Sequence, residues 1–183
     1  MSEHLKELRE NYELTQDDIA NKLNITRQNY SRWETGEQLI PLYHLNSLAN
    51  IFNSSMDFII GLTNINKPTE NIKKLNLIKI GKRITEIRTN ENLSMRKLAE
   101  ILNTSHSTIS AYESGKNLII ISFAIELSKK YNISLDWLCG RSNNKYIKKF
   151  CQKLPFDKFF IFCYDYFVRW KDIMKFIISC SSN

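Results

Sequence analysis

The 183-residue chain predicts an all-α protein: two tandem five-helix units followed by a C-terminal helical segment. Three observations carry that prediction. The sequence repeats itself without a gap at an offset of 79, residues 5–63 falling on 84–142. Within each copy the apolar residues recur at helical spacing. Five Gly and three Pro leave little room for a turn-rich β fold, and the Gly and Ser/Thr residues present stand where helices start and stop.

The repeat is visible residue by residue. Leu14-Thr15 falls on Leu93-Ser94, Ala20 on Ala99 and Leu23-Asn24 on Leu102-Asn103. Ser31-Arg32-Trp33-Glu34-Thr35-Gly36 falls on Ser110-Ala111-Tyr112-Glu113-Ser114-Gly115, and Ser55-Met56-Asp57-Phe58 on Ser134-Leu135-Asp136-Trp137. Roughly a quarter of the aligned positions are identical, which marks a duplicated structural unit. The boundaries that follow are a first unit at 1–63, a linker at 64–76, a second unit at 77–142 and the C-terminal segment at 143–183.

Each element has a local reason. Helix one places Leu5, Leu8 and Tyr12 on one face, and Ile80, Ile84 and Ile87 in the second copy. Thr15 and Ser94 are N-caps for helix two, and Asp18 makes a near capping box in the first copy. Ile19 and Leu23, with Leu98 and Leu102, are its apolar stripe. Asn24 and Asn103 suit a tight turn in the left-handed conformation. Thr26 and Ser105 cap helix three, which stops before Gly36 and Gly115. Pro41 opens helix four of the first copy, with Leu42, Leu45, Leu48 and Phe52 as its apolar face; Ile121, Leu127 and Tyr131 serve the second. Ser55 and Ser134 cap a short last helix ending at Gly61 and Gly140.

Charge is spread unevenly. The net +7 of the chain arises from −4 over residues 1–63, +6 over 64–142 and +5 over 143–183. A basic chain invites a polyanionic partner, although the first unit must attract one by local placement of charge. Cys139, Cys151, Cys163 and Cys180 lack CxxC spacing or nearby His, so reduced thiols and no metal are expected. His4, His44 and His106 are dispersed, and neither a nucleophile motif nor a Gly-rich phosphate loop accompanies them, so the chain is read as no enzyme and needing no cofactor or small-molecule ligand. Without an apolar leader or an 18-residue apolar run, a cytoplasmic protein with no transmembrane segment is expected.

Thr15 through Gly36 resembles the phage repressor/Cro (XRE-type) helix-turn-helix family, as does Ser94 through Gly115; Ser134 to Gly140 is similar to that family's last helix. The resemblance covers about two-thirds of the chain and implies lambda-repressor-like domains that bind double-stranded DNA, commonly as dimers. It implies that Gln16 anchors to phosphate and braces the recognition helix, and that Thr26, Arg27, Gln28 and Arg32 meet the DNA, with Asn29 and Ser31 flanking. Arg hydrogen-bonds guanine bidentately and Gln adenine, each pair discriminating by about 1–3 kcal/mol. A plain solvated helix face is the other reading of these residues.

The second copy reads bases less well. Its equivalents are Met95, Ser105, His106, Ser107 and Ala111, with Thr108 beside them, while Arg96, Lys97 and Lys116 supply phosphate charge where the first copy has Asp17, Asp18 and Glu37. A division follows in which copy one specifies sequence and copy two adds affinity; the alternative is a copy two that only packs or dimerises. The linker reaches about 43 Å at most. Half-sites one helical turn apart lie about 34 Å from each other, so both units can be expected to dock from one chain.

From residue 143 onward lysines and aromatics dominate. Tyr146, Ile147, Phe150, Cys151 and Leu154 make one face of a basic amphipathic helix, and after Pro155 a heptad-like seam runs from Phe156 through Phe160, Cys163, Phe167, Trp170 and Met174 to Ile177. Homodimerisation through this segment, an intramolecular cap and a peripheral membrane helix are all compatible with it. The function expected is a sequence-specific regulator of transcription, a repressor, with helices 26–34 and 105–113 in the major groove. The competing class is an antitoxin-like or adaptor protein whose helical units bind a protein partner.

Overall fold

The computed structural model describes residues 3–68 and 74–147. The C-terminal segment beyond Ile147, with its dimerisation reading, lies outside the described residues. Among those described there are ten helices and no strand: α1 Glu3–Asn11, α2 Gln16–Leu23, α3 Arg27–Glu34, α4 Leu42–Ile51 and α5 Met56–Ile59 in the first copy, then α6 Leu77–Asn90, α7 Met95–Ile101, α8 His106–Glu113, α9 Ile121–Tyr131 and α10 Leu135–Leu138 in the second. No helix among them is long and apolar enough to cross a membrane.

Local chemistry sets most of these boundaries. The Thr15 hydroxyl accepts from the Asp18 amide while the Asp18 carboxylate accepts from the Thr15 amide, a complete capping box. Ser94, Thr26, Ser105, Ser55 and Ser134 each accept from the amide three residues on. Asn24 and Asn103 are left-handed at φ 56° and 47°, which lets the chain turn sharply between the paired helices. Gly36 and Gly115, at φ 76° and 71°, end α3 and α8 as expected.

Two local readings need correction. Tyr12 lies just beyond the end of α1 and is 46% exposed; it packs edge-on against the Phe52 ring and its hydroxyl donates to the Phe52 carbonyl at 2.9 Å. Residues 145–147 are extended rather than helical. Ile133 bridges to Tyr146, the Ser134 amide donates to Lys145 O (2.8 Å) and the Ile147 amide to Asn132 O (3.1 Å), burying Ile147. Lys145 then lies over Trp137 and pairs with Glu86 at 2.7 Å, contacts that an amphipathic helix at this point would forgo.

Inside each copy the apolar stripes converge: Leu5, Leu8, Ile19, Leu23, Tyr30, Trp33, Leu45, Leu48 and Phe52 in one; Ile80, Ile84, Ile87, Leu98, Leu102, Ile109, Tyr112, Ala124 and Leu127 in the other. In the second copy α6 crosses the end of α8 at Gly81. A Cβ there would clash with the Glu113 carbonyl oxygen and sit 2.6 Å from that of Tyr112. Backbone oxygens cannot rotate aside, so Gly81→Ala should force the helices apart and cost about 1–3 kcal/mol. Urea unfolding measures this, and a variant as stable as the parent would contradict the close crossing.

The copies also pack on each other, through their last helices. Asp57 of α5 accepts from the Leu135 amide at 2.7 Å and the Ser134 hydroxyl at 2.5 Å. Asp136 of α10 in turn accepts from the amides of Met56 and Asp57, each at 3.1 Å. Each short helix thus places its carboxylate on the N-terminus of the other, where unpaired amides and the helix dipole favour negative charge. Asp57 and Asp136 are equivalent positions of the repeat, so the contact is reciprocal about a pseudo-two-fold axis. Burial first, then the neighbouring Asp136 charge, pushes the Asp57 carboxyl up to about 7.

Arg141 breaks the symmetry of this junction. Its side chain is fully buried, with Nε 3.2 Å from Asp136 and Nη1 donating to Asn46 at 2.8 Å and Asn50 at 2.6 Å. The second copy is thereby tied to α4 of the first. Trp33, Ile40 and Ile60 of the first copy and Ile121 and Ile125 of the second line one apolar crevice at the same junction.

Candidate nucleic-acid interface

The outer face of α3 is polar and open, while its inner face is held. Thr26, Arg27, Gln28 and Asn29 are exposed, Ser31 and Arg32 half-buried, and Tyr30, Trp33 and Glu34 buried. The Thr26 hydroxyl is engaged as the N-cap, accepting from the Asn29 amide at 3.3 Å, so its role is first to start the helix. Arg27, Gln28 and Asn29 follow that cap as exposed residues of the first turn.

Gln16 occupies the bracing position that the resemblance implies. Its amide donates to Glu34 at 2.8 Å, and its carbonyl oxygen accepts from Arg27 Nε at 3.4 Å. It thus joins the start of α2 to both ends of α3. Asp17 lies 3.8 Å from Arg27, a solvent-exposed pair worth little. The Arg27 side chain remains free to exchange that carboxylate for another acceptor.

A deeper clamp holds α3 from behind. Arg9 of α1 donates to Glu34 through Nε at 2.6 Å and to the Leu14 carbonyl at 2.9 Å. In the second copy Arg88 does the same, to Glu113 at 2.6 Å and Leu93 O at 3.0 Å. Burial alone would raise the Glu34 carboxyl, but hydrogen bonds from Arg9 and Gln16 more than reverse this and hold it below its ordinary value. These positioning residues escaped the sequence reading. The signal was there: Arg9 and Arg88, like Glu34 and Glu113, are identical at the repeat offset and fit neither a buried stripe nor a cap.

The second copy presents a different face. His106 is exposed, as are Ser105 and Ser107, while Thr108 is half-buried. The Ser105 hydroxyl lies 2.8 Å from both Ser107 Oγ and Thr108 Oγ1, so the three hydroxyls form a local cluster beside the exposed His106. Met95 is half-buried against the core and leaves α8 without the Gln16-type brace. Arg96, Lys97 and Lys116 are exposed, and Lys97 pairs with Glu100 at 2.9 Å.

Two short helices joined by a left-handed turn, the second exposing a polar face, occur twice over. A helix-turn-helix family model (HTH_3) matches the chain at both places, residues 5–59 and 84–138. The chain belongs to the XRE-type helix-turn-helix family of transcriptional regulators. It is similar to the uncharacterized HTH-type transcriptional regulator YobD of Bacillus subtilis (strain 168), 32% identical over 75 residues, which cover 41% of this chain and 65% of YobD. It is 37% identical over 59 residues to YqaE, an uncharacterized HTH-type transcriptional regulator of the same organism, covering 32% of this chain and 51% of YqaE. The HTH-type transcriptional regulator PuuR of Escherichia coli (strain K12) is 44% identical over 55 residues, 30% of each chain. The chain spans less than two thirds of the length of each of these relatives. A crystal structure of a transcriptional regulator from Listeria innocua matches at 18% identity and a TM-score of 0.32, over 57% of this chain and 96% of that one.

Both family matches run from helix one to the last helix. The Arg–Glu clamps and the reciprocal Asp57 and Asp136 contacts therefore fall inside helix-turn-helix units. The clamps orient the second helix of each pair; the carboxylates couple one unit to the other.

Proposed function

We propose that the protein is a sequence-specific double-stranded DNA-binding regulator of transcription, a cytoplasmic repressor that docks α3 and α8 in the major groove. One observation carries this reading: Arg27, Gln28 and Asn29 stand exposed on a helix whose opposite face is buried and clamped. A rigid helix with donors and acceptors along its outer face matches the width and hydrogen-bonding pattern of a major groove. Gln16, next to the same helix, supports the reading as a group that braces Arg27 and is half-open to a phosphate.

The two units share the work unequally. Arg27, Gln28 and Arg32 give copy one the bidentate chemistry that separates bases. Copy two has an α8 of small hydroxyl side chains, one His and Ala111, flanked by Arg96, Lys97 and Lys116, which neutralise phosphates whatever the sequence.

Selection from a random duplex pool, followed by shift assays on the enriched sequence, tests the proposal. Arg27→Ala and Gln28→Ala should each cost about 1–3 kcal/mol and relax preference at particular base pairs. Lys116→Ala should weaken all sequences alike and reduce the salt slope by about one. A chain that enriches no sequence and binds no duplex at moderate salt would instead fit the adaptor class.

A further inference from the structure

The junction between the copies has the form of a dimer contact made within one chain. Asp57 caps the α10 N-terminus and Asp136 caps the α5 N-terminus, and the residues exchanged are equivalent in the repeat. In an isologous interface the same patch meets itself, residue i on residue j and j on i. Here that patch is consumed internally. Its donors and acceptors face the sister unit, and Arg141 fastens the arrangement with hydrogen bonds to Asn46 and Asn50 across the junction.

A rotation that relates α5 to α10 also relates α3 to α8, since in each copy the first helix holds both: α1 packs on α5 and is clamped to α3 by Arg9–Glu34, and α6 packs on α10 and is clamped to α8 by Arg88–Glu113. Two helices related by a two-fold axis match the local dyad of duplex DNA, with half-sites on one face of the duplex. The symmetry stops at the reading surface. Arg27, Gln28 and Arg32 on one side face His106, Ser107 and Ala111 at the equivalent places on the other.

We propose that a single chain acts as a pseudo-dimer on a non-palindromic duplex site, one half read by α3 and a different half contacted by α8. The proposal rests on the DNA-binding reading above and specifies the class of site: two unlike halves in fixed phase, occupied by one chain. Fixed phase follows from the packed junction, which holds the units directly to each other instead of leaving them on a slack tether. Joining two weak contacts rigidly makes the second effectively intramolecular, so affinity collapses when geometry forbids both.

The test uses the full chain throughout. Duplexes enriched from a random pool are measured for symmetry, for chains bound per duplex by native mass spectrometry, and for affinity after inserting base pairs between the halves. The expected result is an asymmetric site, one chain per duplex, and about a hundredfold loss or more when half a helical turn is inserted. His106→Glu, on an exposed position, should shorten the protected footprint at one end and leave base preference at the α3 half unchanged. Two chains on a palindrome, or one chain on a single half-site insensitive to insertion, would overturn the pseudo-dimer while leaving DNA binding intact. Absence of any enriched sequence would overturn the DNA-binding reading, and the pseudo-dimer with it.

Discussion

Arg141→Ala is expected to destabilise the protein by about 3–5 kcal/mol, the cost of removing one partner from a buried ion pair. The side chains of Arg141 and Asp136 are 0% and 2% exposed, so solvent cannot substitute for the lost guanidinium. The loss also removes donors to Asn46 and Asn50, which tie the second copy to α4. Asp136 would then stand beside Asp57, whose carboxyl is already raised by burial and by that neighbour, with its principal cation gone. Urea denaturation followed by tryptophan fluorescence in a Trp170→Phe background measures the effect, since Trp33 and Trp137 then report one copy each. Arg141→Met paired with Asp136→Asn should recover much of the loss, because the charge requiring compensation is removed with its partner. A change under about 1 kcal/mol for Arg141→Ala would be the magnitude of an exposed pair and would contradict the buried junction.

Arg9→Ala is the second large effect, again about 3–5 kcal/mol. Glu34 is 5% exposed at its side chain, and Arg9 is its nearest cation at 2.6 Å. Lysine should rescue only in part, because the Arg9 guanidinium spans Glu34 and the Leu14 carbonyl together, a fork that a single ammonium cannot reproduce. The double variant Arg9→Ala/Glu34→Ala should lose less than the sum of the singles. In the parent protein the same contact gives a pH dependence of known sign. Because the folded Glu34 carboxyl lies below its ordinary value, its contribution is present above the unfolded carboxylate pKa of about 4.3 and is lost as the pH falls through the depressed folded value. The acid limb of the stability curve should therefore flatten in Glu34→Gln. An unchanged acid limb would show that Glu34 does not titrate as the clamp requires.

The exposed faces of α3 and α8 and the devices that hold these helices were legible to different degrees. Arg27, Gln28 and Asn29 were readable because an exposed face is decided within one helix: N-cap at Thr26, buried Tyr30 and Trp33 at helical spacing, Gly36 at the end. Ser105, Ser107 and Thr108 were readable as small hydroxyls, but the hydrogen bonds that Ser105 makes to the other two depend on rotamers within the folded turn. Arg9 and Glu34 are 25 residues apart, and Asp57 reaches Leu135 across 78. Neither spacing belongs to a helix period, so only their identity at the repeat offset marked them, without stating a role.

By itself, then, the sequence determined the duplicated five-helix plan, the caps and left-handed turns, and which side chains face outward on the two second helices. Each of these depends on interactions within a few residues, where period, capping chemistry and backbone sterics act directly. Only the tertiary structure decided how Arg9 and Arg88 lock those helices in place, that Lys145–Ile147 runs extended against Ile133, and that the last helices trade carboxylates about a pseudo-two-fold axis. The reason is physical. A buried charge takes whichever partner the packed fold brings to it, and the amides at a helix start accept a carboxylate from anywhere in the chain.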